Sequence, residues 1–203
     1  MQNKTEIKFL DVGCKIGGSF SIAKKYGFTS DQGIGIEVNE THVEKFKKSG
    51  YNGIIASATN IPFPDRHFEL VIFSHVLEHM RGPEQGQKAL NECIRVSSKL
   101  VVVALPFFDE DAYINSLGLK TFYSDWTGHT NKVHYKTLTS EWLKEYKYEV
   151  NMIKKIESSE SEEIIPITAP TDSLEYDLSL HGEKPAINFD RDIWREYTIV
   201  IQK

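Results

Sequence analysis

The segment Phe9-Leu-Asp-Val-Gly-Cys-Lys-Ile-Gly-Gly18 constrains the chain more than any other, because it joins a short apolar run to a glycine-rich turn and then to a helical stretch. Glycine puts no side chain between backbone and ligand, so a strand ending in such a turn lets a small molecule sit close to the helix that follows. The strand–turn–helix alternation recurs downstream. Ile7 to Val12, Gly33 to Val38, Asn52 to Ala56, Glu69 to Phe73 and Lys99 to Leu105 read as five strands. Helices are predicted from about Ser19 to Tyr26, from an Asn39 N-cap to Gly50, and from Pro83 to about Val96. Asn39 offers an oxygen to the unpaired N–H groups of a first helical turn, and Pro83 lacks only an N–H that would have no partner there. Apolar runs without alternation, separated by helices, predict a parallel α/β sheet covered on both faces.

The rest of the chain is less regular. A length of 203 residues, 40% hydrophobic and 26% charged, fits one domain, taken as 1–203. Two insertions are expected within it. Residues 106–137 hold seven of the 23 aromatic side chains, among them Phe107, Phe108, Phe122, Tyr123 and Trp126. Residues 157–196 separate a strand near Tyr148 to Ile156 from a last strand at Tyr197 to Ile201, and a further helix is expected from about Thr139 to Tyr146. A connection of about forty residues in a compact domain reads as a functional insertion or a disordered segment.

Charge and cysteine content exclude several classes. Residues 157–203 carry 11 acidic and 4 basic side chains, whereas the whole chain is at −5. An acidic section and the lack of a basic stripe interleaved with aromatics argue against nucleic acid as the main partner, and Lys45, Lys47 and Lys48 read as a solvated helix face. Cys14 and Cys93 are too few for a disulfide framework and suit a reducing compartment. The polar start Met1 to Glu6 and a longest strongly apolar run of six residues give no leader or membrane span, so a cytoplasmic protein is expected.

The turn suggests a nucleotide, and the charges around it narrow the kind. Glu37 ends the second strand 20 residues after Gly17, where an acid accepts hydrogen bonds from ribose hydroxyls. The dinucleotide spacing fails, because Lys15 stands where its second glycine belongs. A carboxylate at Asp11 would repel a pyrophosphate and favour a ligand carrying an ammonium and a sulfonium, which points to S-adenosylmethionine.

With Leu10-Asp-Val-Gly-Cys14 and Gly17, Gly35-Ile-Glu-Val38, Ala58-Thr-Asn-Ile-Pro-Phe-Pro-Asp-Arg-His-Phe-Glu-Leu-Val71 and Ser74-His-Val-Leu-Glu-His79 in this order, the chain resembles the class I S-adenosylmethionine-dependent methyltransferases, in particular the small-molecule type. The resemblance covers about residues 7–105. It implies a Rossmann-like sheet of seven mostly parallel strands with the last antiparallel. It also implies that Asp11, Gly13 and Gly17 border the methionine part of the cofactor, that Glu37 holds the ribose, that Val38 packs on adenine with Ser57 and Ala58 at its edge, and that Ser74 and His75 approach the methionine moiety. Lys15 and Ser57 depart from the family pattern, where a glycine and an aspartate are usual.

His75-Val-Leu-Glu-His79 also spells H-x-x-E-H, a zinc-hydrolase pattern that places two histidines one helical turn apart. It follows a strand directly and meets Gly82-Pro83 soon after, a poor setting for the regular helix such a site needs, so no metal is expected. Methyl transfer needs a base only when the acceptor is protonated. Candidates are His75, His79, His129 and His134, with Asp125 beside them. The aromatic-rich stretch after the fifth strand is either the pocket of a small-molecule acceptor or satellite core. The leading expectation is an enzyme methylating an oxygen or nitrogen of a small molecule such as a glycan or metabolite. A non-catalytic binding protein of the same fold is the alternative.

Overall fold

The computed structural model describes residues 6–203; residues 1–5, the polar start, lie outside the described residues. Strands β1 (Phe9–Val12), β2 (Gly33–Glu37), β3 (Asn52–Ile55), β4 (Phe68–Ser74) and β5 (Ser97–Pro106) run parallel to one another. Three helices connect them: α1 (Phe20–Lys25), α2 (Glu40–Lys48) and α3 (Pro83–Val96). Beyond β5 the chain forms α4 (Asp111–Ser116), β6 (Leu119–Thr121), β7 (Lys147–Ser158), β8 (Ile164–Pro166) and β9 (Asn188–Gln202). The main sheet has seven strands in the order β3-β2-β1-β4-β5-β9-β7, and β9 is antiparallel to both its neighbours. This is the expected doubly covered sheet with its last strand reversed.

Local chemistry explains the helices. The Asn39 side chain accepts from the His42 N–H at 3.2 Å, capping α2, which buries Val43 and Phe46 and leaves Lys45, Lys47 and Lys48 exposed. On one face of the sheet, Phe9, Phe20 and Phe46 are at most 2% exposed; Phe20 meets Phe9 and Phe46 edge-on, and Tyr51 lies tilted against Phe20 and Phe46. On the other, α3 lays Ala89, Leu90, Cys93 and Val96 over Val71, Phe73 and Val101. Each such aliphatic or aromatic side chain contributes about 1.5–3 kcal/mol by leaving water. Both cysteines are free and buried within these layers.

The second half departs from expectation in three places. The helix expected from Thr139 to Tyr146 is instead a short turn at Tyr135–Thr137 running into a π-helical turn at Leu138–Trp142. Hydroxyls of Thr139 and Ser140 bond back to the carbonyls of Tyr135 (2.8 Å) and Lys136 (2.6 Å), and the Leu143 N–H reaches Leu138 O at 3.0 Å, which shifts the ladder by one residue. The last strand begins at Asn188 rather than Tyr197, and with β7 it forms a ribbon that pairs as far out as Ser158↔Asn188. The outer ribbon is kept by Ile156 and Ile193, each 1% exposed, which join Ile114, Leu119 and Ile164 in a separate apolar cluster. The acidic connection is therefore residues 159–187 rather than 157–196. It is tied down by β8 pairing with β6 and by Lys184, whose Nζ donates to Ser161 O and Ile164 O at 2.8 Å each. Among the described residues no helix is long and apolar enough to cross a membrane.

Candidate functional site

The carboxyl ends of β1, β2, β4 and β5 open into one cavity of about 990 Å³, at the upper end of the size range for small-molecule sites. Its near end is the glycine turn. Gly13 has φ of +74°, and a Cβ there would lie 2.3 Å from Val76 Cγ2, so only glycine lets the turn pass under the chain that leaves β4. Lys15 takes a left-handed conformation too, with φ of +44°; it is exposed and stands on the cavity wall. Gly17 (φ +96°) does not face the cavity; it gives room to Tyr51 and Phe46, with Tyr51 Cε2 2.8 Å from a Cβ at that position.

Asp11 lies behind the wall rather than in it. It is completely buried, and neither carboxylate oxygen has a hydrogen-bond partner in bonding geometry. Burial pushes its pKa up to about 7, the Glu37 charge adds to that, and the Ser19 hydroxyl opposes it. Glu37 is held in place by its own backbone: Oε1 accepts the N–H groups of Val38 at 2.8 Å and Asn39 at 3.1 Å. Its Oε2, 3.8 Å from His42 Nδ1, is the oxygen left for a ligand hydroxyl. Val38 beside it is 67% exposed and Ile16 across the opening 60%, both on the cavity wall. Two bare apolar side chains next to an oriented carboxylate suit a flat base carrying a sugar diol. Ala58 and Ser57 also line this end, although the Ser57 hydroxyl is turned to Thr59, at 3.2 Å from its N–H.

The far end is built from the segment after β4 and from residues 122–129. Ser74 lines it, and His75 follows with a φ of +54°, its ring bridging two carboxylates: Nδ1 to Glu78 Oε1 at 3.2 Å and Nε2 to Glu196 Oε2 at 3.1 Å. Glu196 first and Glu78 second raise its pKa to about 9, so it is already protonated at neutral pH and unsuited to accept a proton. The H-x-x-E-H segment is not helical as a zinc-hydrolase pair requires; Leu77–His79 is a single 3-10 turn, and His75 is committed to its acids. His79 Nδ1 contacts Gly128 O at 2.7 Å and His129 Nδ1 contacts Tyr123 O at 2.9 Å. A carbonyl can only accept, so each Nδ1 is the donor, and in the uncharged ring Nε2 is left as the acceptor. Burial lowers the pKa of His129, which favours its uncharged form.

Of the remaining candidates, His134 is exposed, 4.0 Å from Asp109, and off the cavity wall. Asp125 is bound to Lys120 at 2.5 Å. The aromatic stretch divides: Phe108 is core at 1% exposure, whereas Phe122, Tyr123 and Trp126 line the cavity. The acidic connection does not line it but braces it, through Asp172 Oδ1 accepting from the Thr127 N–H at 2.7 Å. Sequence reasoning missed Glu196, since only the pairing Pro106↔Glu196 brings it beside the end of β5.

Residues 10–103 match the family model described as "Methyltransferase domain". The chain is 30% identical to ajmaline N-methyltransferase of Rauvolfia serpentina over 119 residues, 55% of this chain and 40% of that protein. It spans less than half of the length of the curated relatives it matches. A SAM-dependent methyltransferase from Archaeoglobus fulgidus superposes with a TM-score of 0.66 at 20% identity, over 98% of this chain and 87% of the other. Magnesium protoporphyrin IX methyltransferase from Synechocystis, solved with bound SAH, gives 0.59 at 10% identity, over 99% and 76%.

Proposed function

We propose, on the premise that the chain has the class I S-adenosylmethionine-dependent methyltransferase fold and motif order, that it methylates an oxygen or nitrogen of a small molecule seated at the histidine end of the cavity. The fold's cofactor is S-adenosylmethionine, which supplies an electrophilic methyl group. The observation that carries the reading is a single cavity with two chemically distinct ends. At one, Glu37 Oε2 and the bare Val38 side chain fit a ribose and an adenine; behind the turn, the orphaned carboxylate of Asp11 favours positive charge in front of it. At the other, His129 offers an uncharged nitrogen able to take a proton from a hydroxyl or ammonium group, beside the aromatic side chains of Phe122, Tyr123 and Trp126. Displacement at a methyl group depends chiefly on holding the two partners in line, so most of the chain's contribution is positioning.

The N-methyltransferase relative supports a nitrogen acceptor, and the aromatic wall suits a flat or apolar one. Titration with S-adenosylhomocysteine tests the cofactor half. At 100 times its dissociation constant a ligand stabilises by about 2.7 kcal/mol, a rise in Tm of roughly 5 to 10 °C for this size. NAD should give no rise. A fold retained in Glu37→Ala with unchanged affinity for S-adenosylhomocysteine would remove the ribose role of Glu37, and no rise with any adenosyl ligand would favour a non-catalytic protein of this fold.

A further inference from the structure

The sequence set aside a metal on His75 and His79, but the fold assembles a different trio at the far end of the cavity. One ring nitrogen of His79, one of His129 and a carboxylate oxygen of Glu78 lie within 4.8 Å of one another. We propose that Glu78, His79 and His129 form a binding site for a divalent transition-metal ion, with two imidazole nitrogens and one carboxylate oxygen as ligands and the remaining positions open to the cavity.

Three independent features carry this. First, both histidines are prepared as ligands: each donates Nδ1–H to a backbone carbonyl, of Gly128 or Tyr123, which fixes the ring and presents the Nε2 lone pair. Second, Glu78 is 1% exposed and its Oε2 has no partner, a buried acceptor oxygen left with unmet bonding capacity. Its other oxygen is fixed by His75, whose charge Glu196 balances on the opposite side. Third, the two pieces of chain are stitched together independently of any ion. The Asn131 N–H donates to Glu78 O at 3.0 Å, Asn131 Nδ2 to Leu77 O at 3.0 Å, and Thr130 Oγ1 to Met80 O at 2.9 Å. The ligand geometry is therefore held by the fold before binding, which lowers the ordering cost of capture.

Two nitrogens and one oxygen suit Zn²⁺ or another first-row divalent ion, not Mg²⁺, which prefers oxygen ligands. His79, His129 and Glu78 all border the cavity. An ion there would hold and acidify an acceptor oxygen; this last step rests on the methyltransferase reading, and the ion site does not. With the ion bound, His129 serves as a ligand rather than a base.

The test is titration of the full chain, cleared of metal with a chelator, with Co²⁺ and Zn²⁺, read by Co²⁺ visible absorption and by calorimetry. The expected result is one Co²⁺ per chain, displaced by Zn²⁺, with His79→Ala and His129→Ala each weakening binding at least 100-fold and His134→Ala leaving it unchanged. Melting temperature and S-adenosylhomocysteine affinity measured on the same variants separate a lost ligand from a lost fold and from failure of the cofactor reading. No binding at 1 mM of either ion, or binding that survives the His79→Ala/His129→Ala pair, overturns the proposal even where S-adenosylhomocysteine binds normally.

Discussion

Replacing Asp11 by Asn should make the protein more stable at alkaline pH and weaken its hold on the cofactor at the same time. The carboxyl group is completely buried without a hydrogen-bond partner, and its pKa stands at about 7 against an ordinary 3.8. In the unfolded chain Asp11 ionises near 3.8, whereas in the native state it keeps its proton until about 7. Between those values the native state binds more protons than the unfolded one, so stability falls as pH rises and levels off above about 7. About three pKa units at 1.36 kcal/mol each give a loss of about 4 kcal/mol between pH 4 and pH 8. Asn has nearly the same shape and no charge to desolvate, so the variant should lack this component. The expected difference is a variant about 2 to 4 kcal/mol more stable than the parent at pH 8, roughly 5 to 15 °C in Tm, and close to it at pH 4. Urea unfolding of both proteins across that range measures it, and taking the difference cancels every other titrating group. Affinity for S-adenosylhomocysteine, whose ammonium faces this charge in the proposed arrangement, should drop about tenfold at pH 8 and little at pH 5.5. Parallel stability curves for parent and variant would refute the reasoning, since they would mean that Asp11 is ionised in the folded protein.

Lys15→Gly should raise Tm by about 2 to 4 °C, since relief of a left-handed non-glycine residue, worth about 1–2 kcal/mol, exceeds the added freedom of the unfolded chain; scanning calorimetry checks it. His75→Ala should cost about 2 to 4 kcal/mol in urea unfolding, because it leaves Glu78 buried without its counter-charge. Phe46→Ala should cost about 3 to 5 kcal/mol, since Phe46 is fully buried between Phe20 and Tyr51. Asp172→Ala should leave the core intact but raise amide exchange in residues 124–129, because it releases the Thr127 N–H.

The N-terminal half was legible because its signals are local. Strands β1 to β5 and helices α1 to α3 follow from apolar periodicity, an Asn cap, a Pro start and a glycine turn, each a property of a few neighbouring residues. Gly13 and Glu37 follow from the same local pattern of turn and acid, Val38 and Ser74 only from the family resemblance, and all four reach the cavity. The sequence suggests a carboxylate at Asp11 facing the ligand; the structure seats it behind the turn, because β1 is an interior strand of a sheet covered on both sides. The length of β9 was not legible, since Asn188 to Trp194 is a polar ribbon whose single inward Ile193 finds its partners only after β6, β8 and α4 are in place.

What the amino-acid sequence determined by itself was the alternation of strands and helices over its first half and the glycine-turn end of the cavity, because strand, turn and acid lie within one stretch of chain and their spacing fixes their geometry. Tertiary structure alone decided the opposite end. His75 meets Glu196 and His79 meets Gly128 across long loops, and the left-handed turn at His75 sends one histidine of the same short motif toward two acids and leaves the other to join His129. Contacts closed over such separations depend on the whole fold, so no spacing within the motif encodes them.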